Sequence, residues 1–177
     1  MEVTQNELWT VIHGMTLGAI FLLAFTGGIA ELYALRPEWE TNLGMSKAVR
    51  RMRIGMWLLV IAVWAAVFTG AFIVYPWYRA KPPAGVTDLT MFPRALLLAS
   101  ESTAGWHELG MEWKEHVAWI APIAATVVAY IVNAYGQQLS TESKMRRALM
   151  WFFAVAFITA GIAGLFGAFI TKAAPIH

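Results

Sequence analysis

The chain has 177 residues, of which 59% are hydrophobic and only 14% are charged, and its formal net charge at pH 7 is +2. A soluble domain is typically about 45–50% apolar and about 25% charged, so this composition excludes an ordinary soluble enzyme and predicts an integral membrane protein. The absence of cysteine excludes disulfides, thiolate zinc sites, iron–sulfur clusters and covalently attached c-type haem.

Four apolar stretches are long enough to cross the hydrocarbon core of a bilayer, which takes about 20 helical residues. They lie at about 8–34, 54–78, 112–135 and 148–171. The third stretch contains Pro122, which a membrane helix tolerates because neighbouring helices can satisfy the freed backbone group. Two of the three connections are short, so the sequence predicts one all-α domain over 1–177, an antiparallel bundle of four transmembrane helices.

The positive charges concentrate in the connections after the first and third spans. These connections contain Arg36, Lys47, Arg50, Arg51 and Arg53, and Lys144, Arg146 and Arg147. Connections rich in Lys and Arg stay on the cytoplasmic side of a membrane. We therefore expect both termini and the long connection 79–111 on the outer, periplasmic side of a bacterial inner membrane. Because the basic residues serve orientation, no nucleic-acid partner is predicted.

The outer connection contains one short apolar run, at 92–99. It is far too short to span a bilayer, so we expect a short helix that lies in the membrane interface. Aromatic residues flank the connection and are expected to form a belt at headgroup level. They are Trp77, Tyr78, Trp106 and Trp113.

Two of the four histidines lie near the outer ends of predicted spans, His13 in the first and His116 at the start of the third. An ionisable residue inside a span is a functional-site hypothesis by default. Spans one and three run in the same direction and lie diagonally in an up-down-up-down bundle, so the two imidazoles can face each other across the axis. This arrangement suits one noncovalent haem b with two histidine axial ligands.

The residues around these histidines leave several interpretations open. Gly14 and Gly18 follow His13 at the spacing of close helix–helix packing, and the same spacing also leaves room for a porphyrin edge. His107 lies nine residues before His116, half a turn away around a helix, so it cannot bind the same iron. It either ligates a second, peripheral metal centre or lies at the interface. His177 is the last residue and is expected to be solvated.

An acidic cluster precedes the third span. Glu108, Glu112 and Glu115 fall with His116 within about 100° of one helix face. Such a set could bind a hard or borderline metal ion. Glu112 or Glu115 could instead accept protons from a quinol oxidised at the outer face. The third interpretation is a solvated helix start, with acids at the positive end of the helix dipole.

Four spans with histidines on alternate spans resemble the bacterial four- or five-helix b-type cytochrome membrane subunits. The resemblance implies electron transfer between quinones and an extramembrane, periplasmic redox partner, in a complex with other membrane subunits. It implies no catalytic residue in this chain. The second pair of ligands found in two-haem members is missing here, so a single haem near the outer face is implied.

The sequence therefore predicts a membrane subunit of an electron-transfer complex. One haem b would lie between His13 and His116, and Glu112 or Glu115 would handle protons from quinol. One alternative is a cofactor-free structural subunit of a larger respiratory or photosynthetic complex, which would pack through glycine faces such as the one at 161–167. A second alternative is a protein with an outer-face metal site built from the acidic cluster and His116.

Overall fold

The computed structural model describes residues 3–36 and 42–175 of the chain. All regular structure in these residues is helical, and no strand occurs among them. Four of the helices are long and apolar enough to cross a membrane. This result confirms the predicted all-α class and the number of predicted spans.

Five helices follow one another in the described residues, and we number them in chain order. They are α1 at Gln5–Ala34, α2 at 42–78, α3 at Pro93–Leu98, α4 at Glu101–Tyr135 and α5 at Ser143–Ala173. A 3₁₀ turn at Gln138–Ser140 precedes α5. A capping box begins α1: the backbone N–H of Glu7 donates to Thr4 Oγ1, and the backbone N–H of Thr4 donates to Glu7 Oε2.

The helices are longer than the apolar stretches that predicted them. The first turns of α2 contain the basic residues expected in a loop, and α4 begins at Glu101 inside the expected outer connection. Hydropathy marks the part of a helix that a bilayer would cover, and less apolar residues extend both helices beyond that part. The predicted boundaries at 54 and 112 are therefore those of the apolar stretches and not of the helices.

Four helical segments in the described residues have π-helical hydrogen bonding, each five or six residues long. They are Val11–Thr16 in α1, Gly70–Val74 in α2, and Trp106–Met111 and Trp113–Val117 in α4. A π-turn is rare, and it occurs frequently at functional sites because it re-aims side chains at the cost of regular hydrogen bonding. His13, His107 and His116 each lie in one of these segments.

The described residues form two compact units, and each contains segments of all four long helices. The first unit comprises the described residues of Met1–Gly18, Ala65–Trp119 and Ala160–His177, and the second comprises Ala19–Trp64 and Ile120–Thr159. The first unit thus joins the beginnings of α1 and α4 to the ends of α2 and α5. This combination is expected where successive helices run in opposite directions.

The core of the first unit includes the short helix α3. Leu97 of α3 has no exposed surface and packs in a cluster with Tyr78, Met111, Ile170 and Ala174. The residues at 92–99 were expected to lie in the membrane interface, and in the structure this segment packs onto the protein. Pro93 begins the helix at a position where its missing N–H costs nothing, which explains the sharp start.

The second unit is closely packed around Phe153, which has no exposed surface. The Phe153 ring lies 4.6 Å from that of Phe25, measured between centroids. A Cβ at Gly28 would lie 2.8 Å from Met56 Cε and 3.0 Å from Phe153 Cζ, so a larger residue at this position would require both side chains to shift. Van der Waals packing of this kind, more than a hydrophobic driving force, holds helices together in lipid.

Candidate functional site

His13 is half-buried in the first unit, where its ring packs against α2. Nδ1 lies 2.8 Å from the carbonyl oxygen of Ala66 and 3.3 Å from Thr69 Oγ1. A carbonyl oxygen only accepts, so we assign the proton to Nδ1, which donates it to Ala66. Nε2 then keeps its lone pair. This is the tautomer of a metal-ligating histidine, whose other ring nitrogen usually donates to a carbonyl or carboxylate.

Gly70 provides the surface on which the His13 ring lies. A Cβ at this position would lie 2.6 Å from His13 Cε1 and 3.3 Å from both ring nitrogens. Gly70 also begins the π-helical segment of α2. The position of the imidazole therefore depends on the absence of a side chain at Gly70.

We expect Gly70→Ala to displace the His13 ring and to lower the free energy of unfolding by about 1–3 kcal/mol, the usual cost of an extra methyl group in a packed site. The measurement is a denaturation titration in detergent micelles. Gly55→Ala is the matched control on the same helix, because nothing lies within 4 Å of a Cβ at Gly55. An equal effect of the two substitutions would show that the ring does not depend on Gly70.

His116 lies in a different environment from His13. Its side chain is 69% exposed. Nδ1 lies 3.1 Å from the backbone oxygen of Glu112 and 3.3 Å from Glu112 Oε2, so both contacts are within α4. His13 therefore contacts α2, whereas His116 makes these polar contacts with a residue of its own helix, α4. His116 Nε2 takes part in neither contact, and the predicted pairing of the two histidines stays a prediction.

His107 connects three helices through both of its ring nitrogens. Nε2 lies 3.2 Å from Arg94 Nε of α3, and Nδ1 lies 2.8 Å from the Tyr78 hydroxyl of α2. Arginine only donates, so Nε2 accepts and Nδ1 donates to Tyr78. No ring lone pair is left for a metal ion in this arrangement. The contacts favour the interpretation of His107 as an interfacial residue over that of a peripheral ligand.

The acidic residues of α4 take separate partners. Glu112 contacts His116, Glu115 lies 3.8 Å from Arg79, and Glu108 is exposed. Within residues 3–36 and 42–175, no group of three or more His, Asp or Glu side chains is placed to hold a metal ion. The shared helix face predicted for these acids therefore does not produce a shared site in the described residues.

Lys114 is a candidate site residue that the sequence analysis missed. Its half-buried side chain reaches towards α5. Lys114 Nζ lies 3.1 Å from the position that a Cβ would occupy at Gly167. Its ammonium is also near enough to His13 to interact with it electrostatically. None of the ion pairs found among the described residues involves Lys114. The sequence did contain a signal for Lys114: it is a cation two residues inside the predicted third span. Charged residues are rare inside membrane spans and mark functional sites there.

Gly14 and Gly18 face open space in the part of the chain that the structure describes. Nothing in the described structure lies within 4 Å of a Cβ at either glycine, and the same holds for Gly161 and Gly164 of α5. The faces on which these glycines lie are therefore open. Both sequence interpretations of Gly14 and Gly18, a partner helix and a flat ligand, are compatible with an open face.

No protein-family model, curated protein or solved structure matches this chain. The geometry of the first unit is therefore the basis for a functional proposal. It places the His13 imidazole against Gly70 and the Lys114 amine against Gly167, within electrostatic range of His13. In the same unit, His107 hydrogen-bonds to Tyr78 and His116 contacts Glu112.

Proposed function

We propose that the chain is a membrane subunit of an electron-transfer complex and that it holds one haem b through His13. The observation that carries the proposal is the His13 imidazole, which is half-buried, oriented by the Ala66 carbonyl and left with a free Nε2 lone pair. A backbone carbonyl that orients the ring and raises its basicity is the usual support of an axial histidine.

The neighbouring residues fit such a group. The Lys114 side chain, which reaches towards Gly167, would supply a cation for an anionic propionate in a part of the helix where an unpaired charge is costly. The open face of Gly14 and Gly18 lies next to His13 on α1. His107 has both ring nitrogens engaged, so His116 is the described histidine that can serve as the second ligand. The basic connections at the opposite helix ends support the proposal that this end lies on the periplasmic side of a bacterial inner membrane.

A bound haem would supply one-electron chemistry, and the chain's own side chains would handle protons. Glu112 is exposed, and Glu115 lies 3.8 Å from Arg79. An ionised carboxylate at the membrane surface can accept a proton from a quinol. The partners proposed on this basis are a quinol, a periplasmic redox protein and other membrane subunits.

The experiment is a pyridine haemochrome spectrum of the protein purified in detergent from cells supplied with haem precursors. We expect a Soret band and a stoichiometry of one haem b per chain. A folded, monodisperse preparation without this band would refute haem binding. Elemental analysis of the same sample tests the outer-face metal site, which predicts stoichiometric copper, zinc or manganese.

The alternative, a cofactor-free structural subunit, also has an observation in its favour. Only 6% of the apolar window of α1 is buried within the chain, compared with 39% in α4. The open glycine faces of α1 and α5 add surface on which helices of other subunits could pack closely. This alternative predicts no Soret band, so the same spectrum separates the two proposals.

A further inference from the structure

A surface groove with a volume of about 450 Å³ lies between α2 and α4 in the second unit. Its lining combines two arginines and an asparagine with four large apolar side chains. The lining residues are Arg50, Arg53, Ile54, Trp57, Leu58, Ile61 and Asn133. From Arg50 to Ile61 the groove follows about 16 Å of α2, at 1.5 Å per residue.

The polar end of the groove carries two guanidinium groups that have no carboxylate partner among residues 3–36 and 42–175. The ion pairs found in the described residues do not include Arg50 or Arg53, whereas the adjacent Arg51 pairs with Glu31. Arg53 is held in place by α4, because its Nε donates to the carbonyl oxygen of Val132 at 3.5 Å. The groove therefore presents two positive charges for which the described residues supply no ion-pair partner.

The remainder of the groove is apolar and exposed. Ile54, Leu58 and Ile61 are each more than half exposed, and Trp57 adds the amphipathic ring typical of the headgroup level. A molecule that matches both parts needs a negatively charged head and a long apolar chain. This combination is the chemistry of an anionic phospholipid.

We propose that this groove binds one anionic phospholipid. Its phosphodiester contacts the guanidinium groups of Arg50 and Arg53, and an acyl chain lies along the apolar side chains from Ile54 to Ile61. Basic pockets between membrane helices bind lipid headgroups through this charge complementarity. A quinone has a neutral head and gains nothing from two arginines. A second copy of the chain that docked through the same groove would place its own arginines next to these, and like charges repel.

The test compares lipid retention in two double variants that each remove two positive charges. The protein is exchanged into detergent containing phosphatidylglycerol or phosphatidylcholine, and bound lipid is counted by native mass spectrometry. We expect the wild type to retain one phosphatidylglycerol. Arg50→Gln combined with Arg53→Gln should lower its occupancy relative to phosphatidylcholine by about 10-fold or more, since each basic residue contributes to anionic-lipid binding.

Lys144→Gln combined with Arg147→Gln is the matched control, because both side chains are exposed on α5 outside the groove. An equal loss of bound phosphatidylglycerol in the control would overturn the proposal, because it would show that lipid retention responds to the protein's net charge alone. Equal retention of the two lipids by the wild type would also overturn it.

A second measurement locates the lipid. Phosphatidylglycerol brominated on its acyl chains should quench the fluorescence of Trp57, obtained as the difference between the wild type and Trp57→Phe. Brominated phosphatidylcholine at the same concentration should quench this component less. Equal quenching by the two lipids would place the anionic lipid outside the groove and refute the proposed site.

Discussion

Replacement of His13 by alanine is expected to abolish haem binding, with loss of the Soret band from protein that still purifies as a folded species. The substitution removes the imidazole whose Nδ1 donates to Ala66 and whose Nε2 carries the free lone pair. A haem would then lose its half-buried ligand. His107 does not replace it because both of its ring nitrogens are engaged, and His116 is exposed and held by contacts within its own helix. The measurement is the pyridine haemochrome spectrum per mole of protein, with size-exclusion profiles to confirm folding.

Two further variants make this result specific. His107→Gln should keep the haem stoichiometry, because the structure assigns His107 to hydrogen bonds with Tyr78 and Arg94. His116→Ala should keep iron bound to His13 but convert a six-coordinate, low-spin spectrum into a five-coordinate one. Full haem content in His13→Ala would contradict the proposed site. Loss in all three variants would indicate a general effect on folding.

Phe153→Ala is expected to lower the free energy of unfolding by about 2–3 kcal/mol in detergent micelles. In water, truncation of a buried phenylalanine costs about 3–5 kcal/mol, which includes the transfer of apolar surface from solvent. Lipid and detergent tails solvate an apolar side chain as well as the protein does, so the loss of packing is the main contribution that remains. Phe153 packs against Phe25 and fills the space left by Gly28, so its removal leaves a cavity.

Phe152→Ala is the control for this prediction, because it removes the same atoms one position earlier on α5. The Phe152 side chain is 49% exposed, and its truncation should change the free energy of unfolding by no more than about 0.5 kcal/mol. The measurement is a detergent-denaturation titration of the two variants side by side. Similar losses would mean that the cost reflects the removed surface and not the packing around Phe153.

The fold was largely predictable, because a run of about 20 apolar residues is a local property that hydropathy detects directly. The first span illustrates this point, since 8–34 was predicted and Gln5–Ala34 was found. The helix ends were less predictable. At α2 the polar residues from Asn42 onwards continue the helix, and their hydropathy gives no signal for that continuation.

The candidate site was predictable only in part. Position in a span identified His13, but the sequence analysis did not single out Lys114, and its reach towards Gly167 was missed. Periodicity placed Glu112, Glu115 and His116 on one helix face. It could not show that Glu115 would contact Arg79 of another segment while Glu112 and His116 contact each other.

The sequence by itself determined the all-helical class, the four candidate spans and the exclusion of thiol chemistry, since each depends on composition or on neighbours along the chain. Only the tertiary structure decided which ring nitrogens of His13 and His107 are engaged. His13 meets the carbonyl of Ala66, 53 residues away, and His107 meets Tyr78, 29 residues away. A ring's hydrogen-bond partner, and therefore the nitrogen left for a ligand, is set by which helices pack together and not by sequence spacing.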